Sequence, residues 1–137
     1  MKSLSDNDIR CILEESKTIA IVGASAKPDR DSYMIMQFLQ QRGYYVVPVN
    51  PAYKEIAGLK CYSGLRDIPE KIDIVDIFRK SEDVLPIVND AIAVNAKTVW
   101  MQLGVVNEDA AQAASMAGIN VIMNRCMKID FIRLISR

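Results

Sequence analysis

The sequence predicts an α/β protein: a mainly parallel sheet of five strands with helices on both faces. Three observations carry this. Short apolar runs of strand length alternate with longer segments whose apolar residues recur at helical spacing. The first run, Thr18-Ile19-Ala20-Ile21-Val22, is apolar on both faces, as a strand buried between two helical layers must be. It stops at Gly23 and leads through a polar loop into a helical pattern, the arrangement of a βαβ crossover.

The elements follow in order. A first helix starts near Ser5 or Asp6, residue types that cap free amides, and places Ile9, Ile12 and Leu13 on one face. After the first strand, residues 23–31 form a polar loop. Asp31 or Ser32 caps a second helix with Met34, Ile35, Phe38 and Leu39 on its apolar face, and Gly43 ends it. Tyr44-Tyr45-Val46-Val47-Pro48-Val49 is the second strand; Pro48 lacks an N–H and so belongs near its end. Asn50-Pro51 turns the chain. Residues 52–69 are irregular, with a turn at Ile56-Ala57-Gly58-Leu59 and a short edge strand nearby. Residues 71–78 are the third main strand, and Ser81 caps a helix reaching towards Val94. Residues 97–101 are the fourth, followed by an alanine-rich helix from a cap at Asn107 through Met116 to Gly118. Residues 119–123 are the last strand, and a short helix around Asp130–Ile135 closes the chain. Together these imply a Rossmann-like three-layer α/β/α fold, one domain over residues 1–137.

Composition narrows the function. Seventeen Lys and Arg balance seventeen Asp and Glu, without the basic excess of a nucleic-acid binder. A small anionic ligand stays compatible, because local cations and helix-start amides can hold one. The chain has no histidine, which removes the commonest general base and zinc ligand. Cys11, Cys61 and Cys126 are widely spaced with no CxxC pair, so neither a metal site nor a redox motif is expected. Free thiols and the lack of a signal-like or membrane-spanning run point to the cytoplasm, with no membrane partner. No protein partner can be named from these residues.

In open parallel sheets, ligands bind beyond the carboxyl ends of the strands. The candidates are therefore the strand-end loops. Gly23, Ala24 and Ser25 are small enough for close ligand approach, and Lys27 adds a cation in the same loop. This is not a GxGxxG fingerprint, since the loop has one glycine. Asn50-Pro51 stands where a nicotinamide-dinucleotide site usually carries an acid. Phe78, Arg79 and Lys80 end another strand; Phe78 suits either an adenine or the core, and the two cations suit phosphates or solvent. Gln102 and Gly104 end a fourth, while the preceding Trp100 reads as core.

Five pieces occur in this order: Ile21-Val22-Gly23-Ala24-Ser25, Val47-Pro48-Val49-Asn50-Pro51, Asp73-Ile74-Val75-Asp76-Ile77-Phe78-Arg79, Trp100-Met101-Gln102-Leu103-Gly104 and Asn124-Arg125-Cys126. Together they resemble the stand-alone CoA-binding domain family, the YccU-like proteins, from about Leu13 to Leu134. The fold is similar to the CoA-binding domain of the succinyl-CoA synthetase alpha subunit and of ADP-forming acyl-CoA synthetases. The resemblance implies coenzyme A as ligand, its phosphates over Gly23, Ala24 and Ser25, with further contacts at Asn50, Pro51, Phe78, Arg79 and Lys80. The chain departs from the family at Asn124, where members usually have Asp, and at Phe131, where many have His.

The expectation is a small-molecule binding module for coenzyme A or a short acyl-CoA, with no complete catalytic machinery. The alternative is an NAD(P)-binding redox sensor or enzyme on the same fold, which the missing glycine fingerprint and strand-end acid disfavour. An acyl-transfer enzyme using Cys126 would need an activating partner that no histidine supplies.

Overall fold

The computed structural model describes residues 3–135. Its main sheet has five parallel strands in the order β2-β1-β5-β6-β7. They are β1 (Thr18–Val22), β2 (Tyr45–Val49), β5 (Ile74–Ile77), β6 (Thr98–Met101) and β7 (Asn120–Met123). A two-stranded antiparallel ribbon, β3 (Glu55–Ile56) with β4 (Leu59–Lys60), fills the irregular stretch. Its turn runs through Ala57 and Gly58 at φ 51° and 80°. Two positive angles in succession define a primed hairpin turn.

Alternation along the strands divides the core. Val22, Val75, Ile77, Val99 and Met101 face α3 (Val84–Ala93) and α4 (Glu108–Met116). Ile19, Ile21, Ile74, Trp100 and Ile122 face α1 (Asp6–Glu15), α2 (Asp31–Gln41) and α5 (Met127–Leu134). Three helical stripes thus cover one side of the sheet and two the other; right-handed crossovers put α2 on one face and α3 and α4 on the other.

Local chemistry sets the element ends. Ser5 Oγ accepts from the Asp8 amide while the Asp8 carboxylate accepts from the Ser5 amide, a reciprocal cap on α1. Asn107 caps α4 by accepting from the Ala110 amide. Pro48 is the fourth of five residues in β2, an edge strand. Its carbonyl points outward to the Tyr62 amide. The ring nitrogen points the same way, so the ladder to β1 loses no donor.

Four expectations change. The residue before α2 is Arg30, with no side-chain cap; Ser32 lies buried inside the first turn, and Met36 rather than Met34 reaches the core. Strand β5 is shorter than residues 71–78. Before it starts, the Asp73 carboxylate turns aside to accept from the Lys17 and Thr18 amides. Ser81 does not cap α3. It begins a 3-10 turn, Ser81–Asp83, and its hydroxyl accepts from the Val106 amide. Helix α5 starts at Met127, earlier than Asp130, which sits in its first turn and accepts two hydrogen bonds from the Arg125 guanidinium.

No helix among the described residues is long and apolar enough to cross a membrane.

Candidate functional site

The loops after β1, β2 and β5 meet at one edge of the sheet and are tied together. The amides of Gly23 and Ala24 both donate to the Val49 carbonyl, at 3.0 and 3.3 Å. Asn50 Nδ2 donates to the Ala24 carbonyl at 2.8 Å, and Asn50 Oδ1 accepts from the Ala52 amide at 2.9 Å. Gly23 has φ 87°, and a Cβ placed there would lie 2.5 Å from the Phe78 carbonyl oxygen. The glycine is therefore required by the crossing of two loops.

These bonds redistribute roles among the sequence candidates. The Gly23 and Ala24 amides are occupied, so free donors of the first loop begin beyond them. Ser25 Oγ accepts from the Lys27 amide at 3.1 Å and retains its own hydrogen for donation. Lys27 and Lys80 are exposed. Helix α2 follows this loop; no side chain caps it, which leaves its first amides without a side-chain partner and favours an anion there.

On the α3 face of this edge lies a crevice of about 340 Å³. Gly23, Pro51 and Arg79 line it, with Val22, Val49, Leu65 and Ile87 as apolar wall. Its charge is mixed: Glu82, Asp83 and Asp90 also line it, and Arg79 lies 3.6 Å from Asp83. Asp90 is held by Arg66 at 2.8 Å. Phe78 is half-buried and packs on the opposite face, with the α2 core. Ser63 and Gly64 also line the crevice, arriving from beyond the β3–β4 ribbon. Nothing in their local pattern marks them in the sequence.

On the α2–α5 face, at the end of β6, lies a second crevice of about 410 Å³. Gln102 lines it together with Ile35, Leu103 and Cys126. The Gly104 amide donates to Asn124 Oδ1 at 2.7 Å, joining the loops after β6 and β7. Asn124 has φ 60°, a conformation that asparagine tolerates. Trp100 is fully buried as expected, and its indole N–H donates to the Arg125 carbonyl at 2.9 Å. Phe131 packs edge-on against Phe38 and Tyr44, so at this position the chain carries a core contact.

Two buried polar groups stand out. Asp76, in the middle of β5, is fully buried, and neither carboxyl oxygen has a hydrogen-bond partner among the described residues. Burial pushes its carboxyl well above the usual carboxylate range. Gln102 Oε1 is likewise buried without a partner.

Fold and site together define a class: a Rossmann-like α/β domain with crevices on both faces of the carboxyl edge of a parallel sheet. The chain belongs to the CoA binding domain family, which it matches over residues 17–131. It is 41% identical over 129 residues to the uncharacterized protein YneT of Bacillus subtilis, covering 94% of this chain and 96% of that one. It is 39% identical over 61 residues to the ADP-forming acetate–CoA ligase of Methanocaldococcus jannaschii, a match covering 44% of this chain and 9% of that enzyme. A solved hypothetical protein from Pyrococcus horikoshii superposes with a TM-score of 0.94 at 44% identity, over 98% of this chain and 99% of that one.

Proposed function

We propose that this protein binds coenzyme A or an acyl-CoA at the carboxyl edge of its sheet and acts as a binding module, without catalysing a reaction itself. The observation that carries the reading is the tied set of loops after β1, β2 and β5, with a crevice beside it and the uncapped start of α2 next to it. The uncapped amides, with Ser25 and Lys27, offer donors to phosphates. The crevice lined by Pro51, Ile87 and Arg79 suits the adenosine end: apolar walls for a base, the Arg79 guanidinium for a phosphate, and the Glu82 carboxylate for the free 2′-hydroxyl of the ribose.

Membership of the CoA binding domain family supports the choice of ligand. Two features speak against NAD as the better ligand. Asn50 stands where a dinucleotide site would have an acid, and its side chain is already bonded to Ala24 and Ala52. The absence of histidine from the sequence supports a non-catalytic role. Isothermal titration with CoA and with NAD tests the reading. CoA should bind more tightly, and equal or tighter NAD binding overturns it. Native mass spectrometry of protein purified without added ligand should show an adduct of CoA or acyl-CoA mass.

A further inference from the structure

The α2–α5 crevice has a chemistry unlike that of the α3 crevice. Among the described residues eight large hydrophobic side chains are exposed, and four of them converge here: Met34, Leu103, Ile129 and Ile132. Met34 and the two isoleucines stand on adjoining helices, whereas Leu103 follows β6. Only Asp31 and Lys128 bring charge to the lining, and Lys128 Nζ sits over the Phe38 ring at 5.4 Å. A phosphate would find little to hold it among such walls.

A second observation is independent of the apolar walls. Gln102 lines the same crevice at 6% exposure, and its Oε1 has no hydrogen-bond partner among the described residues. A buried acceptor left without a donor is destabilising, so a turn of the Gln102 carboxamide that brings its sealed Oε1 to the crevice wall is favoured when a ligand there supplies a donor. The crevice therefore offers a large apolar surface beside one unsatisfied acceptor.

We propose that this crevice is an acyl pocket, taking the apolar chain of a medium-length acyl-CoA while Gln102 Oε1 accepts an N–H from the pantetheine arm. The proposal rests on the CoA reading above and names the part of the ligand that the α3 crevice leaves unaccounted for. Geometry allows one molecule to reach both. The end of β1 and the end of β6 are two strand spacings apart, with β5 between them, a distance of about 10 Å. An extended pantetheine arm is longer than that. The nucleotide then lies on one face of the sheet edge, and the acyl chain on the other.

The test is a titration series with CoA and its acetyl, butyryl, hexanoyl and octanoyl thioesters. Burying a methylene is worth about fourfold in affinity when complete. This pocket is open on one side, so a gain of at least about tenfold from butyryl- to octanoyl-CoA is expected. The double variant Ile129→Ser with Ile132→Ser should flatten the series and leave the affinity for CoA unchanged; both side chains are exposed, so it should fold. Gln102→Leu should weaken CoA and every thioester by a similar factor. A series that binds with equal affinity overturns the acyl pocket and leaves CoA binding standing. Failure of all five ligands to bind overturns the CoA reading and the pocket with it. If the serine variants change the mass of the protein in solution but not the chain-length dependence, the face is a contact between copies and the proposal is wrong.

Discussion

Asn50 holds the loop after β1 against the loop after β2 through a single 2.8 Å bond from its side-chain amide to the Ala24 carbonyl. Its oxygen meanwhile closes the turn at Ala52. Asn50→Ala loses both bonds and should cost about 1–3 kcal/mol in stability, with weaker CoA binding as the first loop shifts. Asn50→Asp keeps the acceptor for Ala52 but loses the donor for Ala24, so it should unfold at intermediate denaturant. Urea unfolding of the three proteins checks the order. Equal midpoints would show that the bond between the loops contributes nothing.

Gly23→Ala should be destabilising before any ligand is considered. A left-handed backbone costs a non-glycine residue about 1–2 kcal/mol. The added Cβ would also meet the Phe78 carbonyl at 2.5 Å, and overpacking adds about 1–3 kcal/mol. A loss of more than about 2 kcal/mol is expected in thermal or urea unfolding. A variant as stable as wild type would return the constraint at Gly23 to the ligand.

The pair Arg79 and Asp83 sets the charge of the α3 crevice. They are 3.6 Å apart and both close to half exposed, so their attraction is worth under about 1 kcal/mol. Arg79→Ala should weaken CoA binding several-fold and reduce its salt dependence. Asp83→Asn should have the opposite effect, freeing the guanidinium and tightening CoA binding, most clearly at low salt. Calorimetry at two salt concentrations separates the outcomes. If Asp83→Asn also weakens binding, the carboxylate is itself a ligand contact.

Asp76 makes stability depend on pH in a predictable direction. Burial raises its carboxyl well above the ordinary value of 3.8, so the folded protein keeps a proton that the unfolded chain releases. Folding is then favoured below that ordinary value, and the advantage falls as pH rises towards the folded-state value. Asp76→Asn removes the effect. The difference in stability, variant minus wild type, should therefore shift in favour of the variant as pH rises above the ordinary value of 3.8 towards neutrality. A difference that stays constant across this range would mean that Asp76 ionises in the fold as it does in water.

Strand-end positions were most legible where an apolar run stops at a residue with a backbone reason to stop, as at Gly23 and Asn50-Pro51. What those residues do was less so. Gly23 reads as ligand clearance in the sequence, yet its nearest neighbour is the Phe78 carbonyl, 55 positions along the chain. Ser63 and Gly64 reach the α3 crevice only because Tyr62 pairs with β2. Ser81 carries every local sign of a helix cap and instead receives the Val106 amide. In each case a long-range partner decides the role, and no local spacing encodes it. Met34 belongs to the apolar face read for α2, yet it is exposed, and Met36 takes the core position instead.

The outward-facing ring of Pro48 also bears on how copies of this chain meet. A strand seeking to extend the sheet at β2 would need an N–H at that position and find none, and the Pro48 carbonyl beside it is already engaged by Tyr62. Around Pro48 this border resists strand addition, the route by which an exposed sheet edge templates aggregation. At the other border, β7 is bonded to β6 alone among the described strands and spans four residues. Its shortness limits how many rungs an intruding strand could gain there. The molecule thus guards the flank of its ligand loops with chemistry and its far flank with length.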